Sequence, residues 1–184
     1  MNHSNVMHRT VTRHLVMTLA AVAAAVLLPQ LFHAVGAVSG AGAAVGAAFL
    51  PMHLPVLLAA WMAGPTVGLA AGVLSPLVSF GISGMPTALL LPFMMLELGV
   101  YGFVFGKLRD TKLPVFVQLL LTQLAGRAAR AAAVLAIVSL QENTKLTVAS
   151  AYVFVLEGLF GILLQWALIP LAATQLRTKG MGHE

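Results

Sequence analysis

Long apolar stretches alternate with short breaks of glycine, proline and charged residues along the whole chain. Each stretch approaches the about 20 residues that a helix needs to cross the hydrocarbon core of a bilayer. The breaks have turn-forming compositions, as in Gly64-Pro65 and in the polar run at 141–145. The pattern predicts six membrane-spanning helices, at residues 15–35, 47–63, 66–82, 87–106, 114–140 and 148–174.

The composition is that of a membrane protein. Hydrophobic residues make up 60% of the 184 residues and charged residues 8%, against about 25% charged residues in a soluble domain. Mean hydropathy is +0.97. We therefore predict an all-α integral membrane protein whose single domain, residues 1–184, is a bundle of six transmembrane helices with short tails at about 1–13 and 176–184. The absence of cysteine excludes disulfides and cysteine metal sites.

Basic residues lie mostly at the predicted helix ends, so the net charge of +5 indicates membrane orientation and not a nucleic-acid partner. With the N-terminus in the cytoplasm, the outer loops hold only Lys145. The inner segments hold seven basic residues: Arg9, Arg13, Lys107, Arg109, Lys112, Arg177 and Lys179. This asymmetry predicts a multi-pass protein of the bacterial cell (inner or plasma) membrane with both termini cytoplasmic. The alternative is a cleaved signal peptide built on residues 15–28, which would leave five spans.

Four ionisable side chains lie inside the predicted spans: Glu97, Arg127, Arg130 and Glu157. Each costs about 2.5–3.5 kcal/mol at the centre of a spanning helix, so they are expected to face the interior of the bundle and to have partners there. Arg127 and Arg130 are three residues apart and share one helix face. Counting residues from the helix ends predicts that Arg127 lies at the same depth in the membrane as Glu97, and Arg130 at the same depth as Glu157.

Two interpretations of these charges stay open. They form a structural network of ion pairs that ties the fourth, fifth and sixth helices together. Alternatively, at least one arginine binds a ligand carboxylate or phosphate through its planar guanidinium group, with Glu97 or Glu157 accepting ligand hydrogens. Arg130 with Glu157 is the outer pair, and Arg127 with Glu97 lies nearer the midplane.

His53 is a further candidate ligand residue, between Pro51 and Pro55. An interfacial or packing role is equally compatible with its position. No second histidine lies at i+3 or i+4, so we expect no metal site and no cofactor. Tyr101, Gln165 and Trp166 are expected either to line a pocket or, as such residues more often do, to be packing residues or interface anchors. No His-Glu-x-x-His motif occurs, and neither Ser75 nor Ser79 has a histidine within a helical turn, so we expect no enzyme activity.

Small residues on the first predicted helix form a third pattern. Ala20 with Ala24, and Ala21 with Ala25, have the small-xxx-small spacing that lets another helix approach closely. The alternative interpretation is the general alanine richness of the chain.

More specific motifs run through the chain: FLPMHLPVLL at 49–58, Gly64-Pro65, Gly68, Gly72, Ser-Pro-Leu at 75–77, Gly-Met-Pro at 84–86 and Gly126-Arg127. With the six-span plan, the length and the alanine pattern, they resemble the substrate-binding S component of energy-coupling factor (ECF) vitamin transporters. The resemblance implies a high-affinity binding subunit for uptake of a vitamin or related micronutrient, and two interior arginines favour an acid such as pantothenate.

The resemblance also implies partners. Ligand would bind in the outer half of the membrane under a lid, here the glycine-rich residues 36–46. The resemblance therefore implies that the outer pair, Arg130 with Glu157, lies at the ligand level and that Arg127 with Glu97 is scaffold. The alanine face, here Ala20, Ala21, Ala24 and Ala25, would dock on a transmembrane coupling subunit that two ATPase subunits drive. The chain has no Gly-x4-Gly-Lys-Ser/Thr motif, so separate subunits would supply ATP hydrolysis. The alternative function is a standalone proton-coupled transporter of a small organic anion, with the charged residues as a proton relay.

Overall fold

The computed structural model describes residues 3–40, 51–140 and 158–181, and these residues form helices joined by turns. The helices are α1 (His3–Ser39), α2 (His53–Ala63), α3 (Pro65–Ser83), α4 (Leu91–Leu108), α5 (Val115–Leu140) and α6 (Leu159–Met181). The prediction of an all-α fold is confirmed for the described residues.

Four helices are long and apolar enough to cross a membrane: α1, α3, α4 and α5. Helix α2 has 11 residues, or about 16 Å at 1.5 Å per residue, which is less than the about 30 Å of a hydrocarbon core. The apolar part of α6, Phe160–Gln175, is also short. The predicted spans 47–63 and 148–174 both begin outside the described residues, so the crossing of the bilayer by α2 and α6 stays a prediction.

Helix α1 is longer than the predicted span 15–35. Its 37 residues correspond to about 55 Å, because 36–39 and 3–14 continue the same helix. Gly36, predicted as the start of the lid, is therefore a buried residue inside α1. The helix ends at Ser39, followed by Gly40 with φ of 75°. The rest of the predicted lid, 41–46, lies outside the described residues.

The predicted turn at Gly64-Pro65 is confirmed. Gly64 has φ of 94°, a backbone conformation that L-residues other than glycine rarely adopt, and its N–H donates to the Ala60 carbonyl at 2.8 Å. Pro65 then starts α3, where its missing N–H costs no helical hydrogen bond. The Arg109 guanidinium lies against Gly64, so this turn and the α4–α5 turn share one end of the bundle. We call it the basic end.

Helices α3 and α4 pack with their backbones in contact. Gly68 lies directly on Gly102, and Gly72 lies on the Leu98 carbonyl. A Cβ at Gly68 would overlap both the Gly102 carbonyl and the Ala60 side chain. Small residues are what allow such an approach between apolar helices in a membrane. We call these residues, with Gly102, the glycine contact.

Helix α2 lies at the centre of the bundle and packs against α1, α3, α4 and α6. One core cluster joins the first four helices: Ala21, Ala25, Met52, Val56, Ala59, Val67, Ala71 and Leu98. A second cluster joins α2, α4, α5 and α6: Leu57, Ala60, Tyr101, Phe105, Leu119 and Ile169. Helix α5 packs on α4, and α6 packs on α5 and α2. The candidate site lies in this second half of the bundle.

Candidate functional site

A buried ion pair joins α4 and α5. Arg130 Nη1 donates to Glu97 Oε2 at 2.6 Å, with 9% and 2% of the two side chains exposed. The predicted pairing of Glu97 with Arg127 is therefore wrong. Side chains on a helix lean toward its N-terminus, and α4 and α5 run antiparallel through a short turn, so Arg130 and Glu97 lean toward each other. Counting backbone positions from the helix ends ignores this lean.

Arg127 lies one turn closer to the basic end on the same helix and is half-buried. Glu157, predicted to pair with Arg130 and to bind ligand, lies outside the described residues. In the described part of the cluster, the Arg127 and Arg130 guanidinium groups accompany the Glu97 carboxylate. Guanidinium groups bind carboxylate or phosphate oxygens bidentately.

Tyr101 lies at the centre of the charged cluster. It is four residues from Glu97 on α4 and interacts electrostatically with Glu97, Arg127 and Arg130. Its ring packs on Gly126, where a Cβ would overlap two ring carbons. Glycine at 126 is thus what allows α5 to approach this ring. From the sequence, Tyr101 was expected either to line a pocket or to pack. Its spacing of four residues from Glu97 also indicated that the two side chains share one helix face.

His53 joins the same cluster. It lies in the first turn of α2 and is buried, and its ring meets the Tyr101 ring edge-on, with centroids 5.1 Å apart and an interplanar angle of 68°. His53 is therefore a buried residue of the bundle, and its contact with a ligand stays a prediction. The structure brings His53, Glu97, Arg127 and Arg130 together around Tyr101, from three different helices.

A second polar group lies between α5 and α6. Gln123 Nε2 donates to Gln165 Oε1 at 3.0 Å, and Trp166 Nε1 donates to Gln123 Oε1 at 2.8 Å. Gln123 and Gln165 are buried. We call these three residues the amide triad. The sequence predictions did not include Gln123. The one pattern that indicated it was the position of a polar residue four residues before Arg127, on the same helix face.

The cluster and the triad together form an interior rich in hydrogen-bond donors. Gln123 lies four residues before Arg127, so the triad lies about 6 Å, one helical turn, closer to the basic end than Arg127. Guanidinium, amide and indole groups all donate, and guanidinium binds carboxylate or phosphate bidentately. Within the described ranges, no three histidine or carboxylate side chains come close enough to hold a metal ion. The donors of this group suit oxygen acceptors such as carboxylate or phosphate.

The four alanines of the predicted docking face divide between two environments. Ala21 and Ala25 are buried in the first core cluster, whereas Ala20 is exposed and Ala24 is half-buried. Ala23 is exposed beside them. The outward surface of α1 therefore offers Ala20, Ala23 and Ala24 to another helix, and a docking role for Ala20 and Ala24 stays a prediction.

Comparison with known proteins gives one family. The family model described as "ECF transporter, substrate-specific component" matches residues 15–173. No curated protein and no solved structure matches the chain at a significant level. The matched range contains the charged cluster, the amide triad and the outward alanines of α1.

Proposed function

The chain belongs to the substrate-specific components of ECF transporters, and on this premise we propose that it binds a small organic anion inside the membrane for uptake. Membership makes it a multi-pass membrane protein and a transporter subunit, not an enzyme. It also implies association with the coupling and ATPase subunits of an ECF module and a small-molecule substrate. The chemical class of that substrate is our proposal.

One observation carries the choice of an anion: two guanidinium groups, those of Arg127 and Arg130, lie around Tyr101 inside an apolar bundle. Charged side chains are expensive within a bilayer and are normally placed where they pair or bind a substrate. A carboxylate or phosphate accepts bidentate hydrogen bonds from a guanidinium group. A vitamin-like acid such as pantothenate, with one carboxylate, hydroxyls and an amide, has this chemistry.

Arg127 is the arginine that we assign to the ligand. The Arg130–Glu97 ion pair supports a scaffold role for Arg130, because Glu97 already satisfies part of its guanidinium group. Arg127 is half-buried, so a ligand can reach it, and it lies beside Tyr101. This assignment reverses the expectation that Arg130 contacts the ligand and that Arg127 is scaffold.

Identification of the bound small molecule tests this proposal. The protein would be purified in detergent and its co-bound small molecules identified by mass spectrometry, for the wild type and for Arg127→Ala, Arg127→Lys and Arg109→Ala. A hydrogen bond to a charged group contributes about 1.5–3 kcal/mol, so Arg127→Ala should weaken binding of the acid by about 10-fold to 150-fold. Arg127→Lys keeps the charge but loses the bidentate geometry, so its affinity for the acid should lie between those of the wild type and of Arg127→Ala.

Arg109→Ala is the matched control, because Arg109 lies at the basic end beside Asp110 and away from the cluster. Its ligand content should equal that of the wild type. A neutral or cationic co-bound molecule, or equal binding by a folded Arg127→Ala variant, would show that the anion proposal is wrong.

Energy coupling is tested separately, by uptake into cells with and without the coupling and ATPase subunits. We expect uptake to require those subunits and ATP. We also propose that both termini face the cytoplasm and that Ala20 and Ala24 contact the coupling subunit. Uptake that persists without the subunits and collapses with the proton gradient would instead favour a standalone proton-coupled transporter of a small organic anion.

A further inference from the structure

A groove on the N-terminal part of α1 lies apart from the charged cluster and the amide triad. It has a volume of about 430 Å³ and is lined by His8, Arg9, Thr12, Arg13, Val16 and Met17. Residues 8–13 are all exposed, so these turns do not pack on the bundle, whereas Met17 packs on the first core cluster. The groove therefore begins on the free part of α1 and ends where α1 joins the other helices.

The chemistry of the groove changes from charged to apolar along the helix axis. Its first turn holds His8 and Arg9, its second Thr12 and Arg13, and its third Val16 and Met17. These nine steps along the helix correspond to about 13 Å. Side chains on a helix lean toward its N-terminus, so both guanidinium groups extend away from the apolar turn. A molecule that matches this order has an anionic group at one end and an apolar part at the other.

The two arginines of the groove have no protein carboxylate beside them within the described ranges. No aspartate or glutamate precedes Glu97 in the sequence. Glu97 itself lies in the buried ion pair of the cluster, and Asp110 pairs with Arg109. Arg9 and Arg13 are four residues apart on one helix face, so both can donate to the oxygens of a single phosphate group.

Thr12 adds an acceptor next to the arginines. Its hydroxyl donates to the His8 carbonyl at 2.8 Å, so the lone pairs of its oxygen are what it offers to a bound molecule. At the other end of the groove, Val16 is 58% exposed and belongs to the apolar surface that α1 presents to lipid. A soluble phosphate would use only the polar turns, whereas a phospholipid matches all three.

We propose that this groove binds an anionic phospholipid, with its phosphate on Arg9 and Arg13 and the start of an acyl chain along Val16 and Met17. On the proposed orientation this lipid belongs to the cytoplasmic leaflet, whose surface is negatively charged. The bound headgroup holds the free turns of α1 at the membrane surface. The inference concerns a site separate from the substrate site and is independent of the substrate.

The experiment counts lipids on the purified full-length protein by native mass spectrometry. Protein in detergent is incubated with an equimolar mixture of phosphatidylglycerol and phosphatidylcholine that have identical acyl chains. We expect the wild type to bind phosphatidylglycerol at least about 10-fold better, since one basic residue near anionic lipid contributes a factor of about 5. Arg9→Gln and Arg13→Gln should each lower phosphatidylglycerol binding about 5-fold, and the double variant about 25-fold.

Two matched controls separate the groove from general attraction between basic residues and lipid. Lys112→Gln removes an exposed positive charge from the α4–α5 turn, predicted on the same membrane face, and should bind phosphatidylglycerol like the wild type. Thr12→Phe fills the groove but keeps both arginines, so it should lower binding as much as either arginine variant. Thr10→Phe places the same ring about 200° around the helix, outside the groove, and should leave binding unchanged.

A further arm adds an excess of glycerol 3-phosphate, which has the phosphate but no acyl chain. The lipid should stay bound, and its displacement would assign the groove to a soluble phosphate ester and overturn the proposal. Equal binding of the two lipids by the wild type would also overturn it, as would equal losses in Lys112→Gln and the double arginine variant.

A protein partner at the groove gives a different result. Arginine variants that bind phosphatidylglycerol like the wild type, yet co-purify less coupling subunit, would assign the groove to that subunit and overturn the lipid proposal. None of these outcomes changes the co-bound small molecule that tests the proposed substrate, so the two proposals fail separately.

Discussion

The glycine contact joins α3 to α4, and the amide triad joins α5 to α6. Each holds two neighbouring helices together, but through opposite chemistry. At the glycine contact, Gly68 and Gly102 have no side chains, so the two helix backbones meet directly. At the amide triad, large polar side chains hydrogen-bond across the gap between helices. Between them, α4 presents glycines to α3 and Glu97 and Tyr101 to α5. One helix thus separates a backbone-packed half of the bundle from a polar half.

The difference assigns separate tasks to the two halves. Helices in lipid gain no hydrophobic driving force from meeting one another, so close packing of small residues is one way to hold them together. Polar side chains also join helices, yet each can exchange its partner for a ligand atom of the same type. We propose that the ligand contacts come from α4, α5 and α6 with His53 of α2, and that the packing of α1 and α3 supports them.

The largest expected effect comes from breaking the buried ion pair. Glu97→Leu should destabilise the protein by about 3–5 kcal/mol, because it removes one partner of a buried ion pair. The double variant Glu97→Leu with Arg130→Leu should recover much of this loss. Thermal unfolding in detergent measures both.

Asp110→Ala is the control for this prediction, since it breaks the exposed Arg109–Asp110 pair, with 80% of the Asp110 side chain exposed. Such pairs contribute about 0–1 kcal/mol. Additive losses in the Glu97 and Arg130 double variant would contradict the described pairing.

The next effect tests the glycine contact. Gly68→Leu should cost about 3 kcal/mol or more, because the new side chain overlaps the Gly102 backbone and neither helix can shift without moving the other. Gly81→Leu on the same helix, where no atom lies within 4 Å of the added Cβ, should change the unfolding temperature little. Equal stability of the two variants would disprove the close packing of α3 on α4.

The smallest effect tests the amide triad. Trp166→Phe keeps an aromatic ring beside Phe116 but removes the hydrogen bond to Gln123, and interhelical hydrogen bonds in membrane proteins contribute about 0.6 kcal/mol, up to about 1.7. A double-mutant cycle of Trp166→Phe with Gln123→Leu, followed by thermal unfolding, measures the coupling. Zero coupling would mean that the indole does not orient the amide.

The sequence predicted the helices better than it predicted their partners. The apolar pattern and the Gly64-Pro65 turn located the α2–α3, α3–α4 and α4–α5 boundaries to within about four residues, with α1 extending well beyond its predicted span. The shared face of Arg127 and Arg130 also followed from their spacing. The partner of Glu97 did not, because residue counting ignores how far a long side chain leans along its helix. The burial of His53 depended on where α2 lies among its neighbours, which no local pattern contains.

The sequence by itself determined an apolar helical membrane protein with interior charges and a family, because hydropathy, glycine and proline act locally and leave a pattern in a single chain. Only the tertiary structure decided that Arg130 pairs with Glu97, that Tyr101 joins His53 to both arginines, and that a glutamine on α5 orients another on α6. These contacts join residues up to 48 positions apart, as for His53 and Tyr101. Their geometry depends on helix packing and on the direction of each side chain, and neither can be read from spacing along one helix.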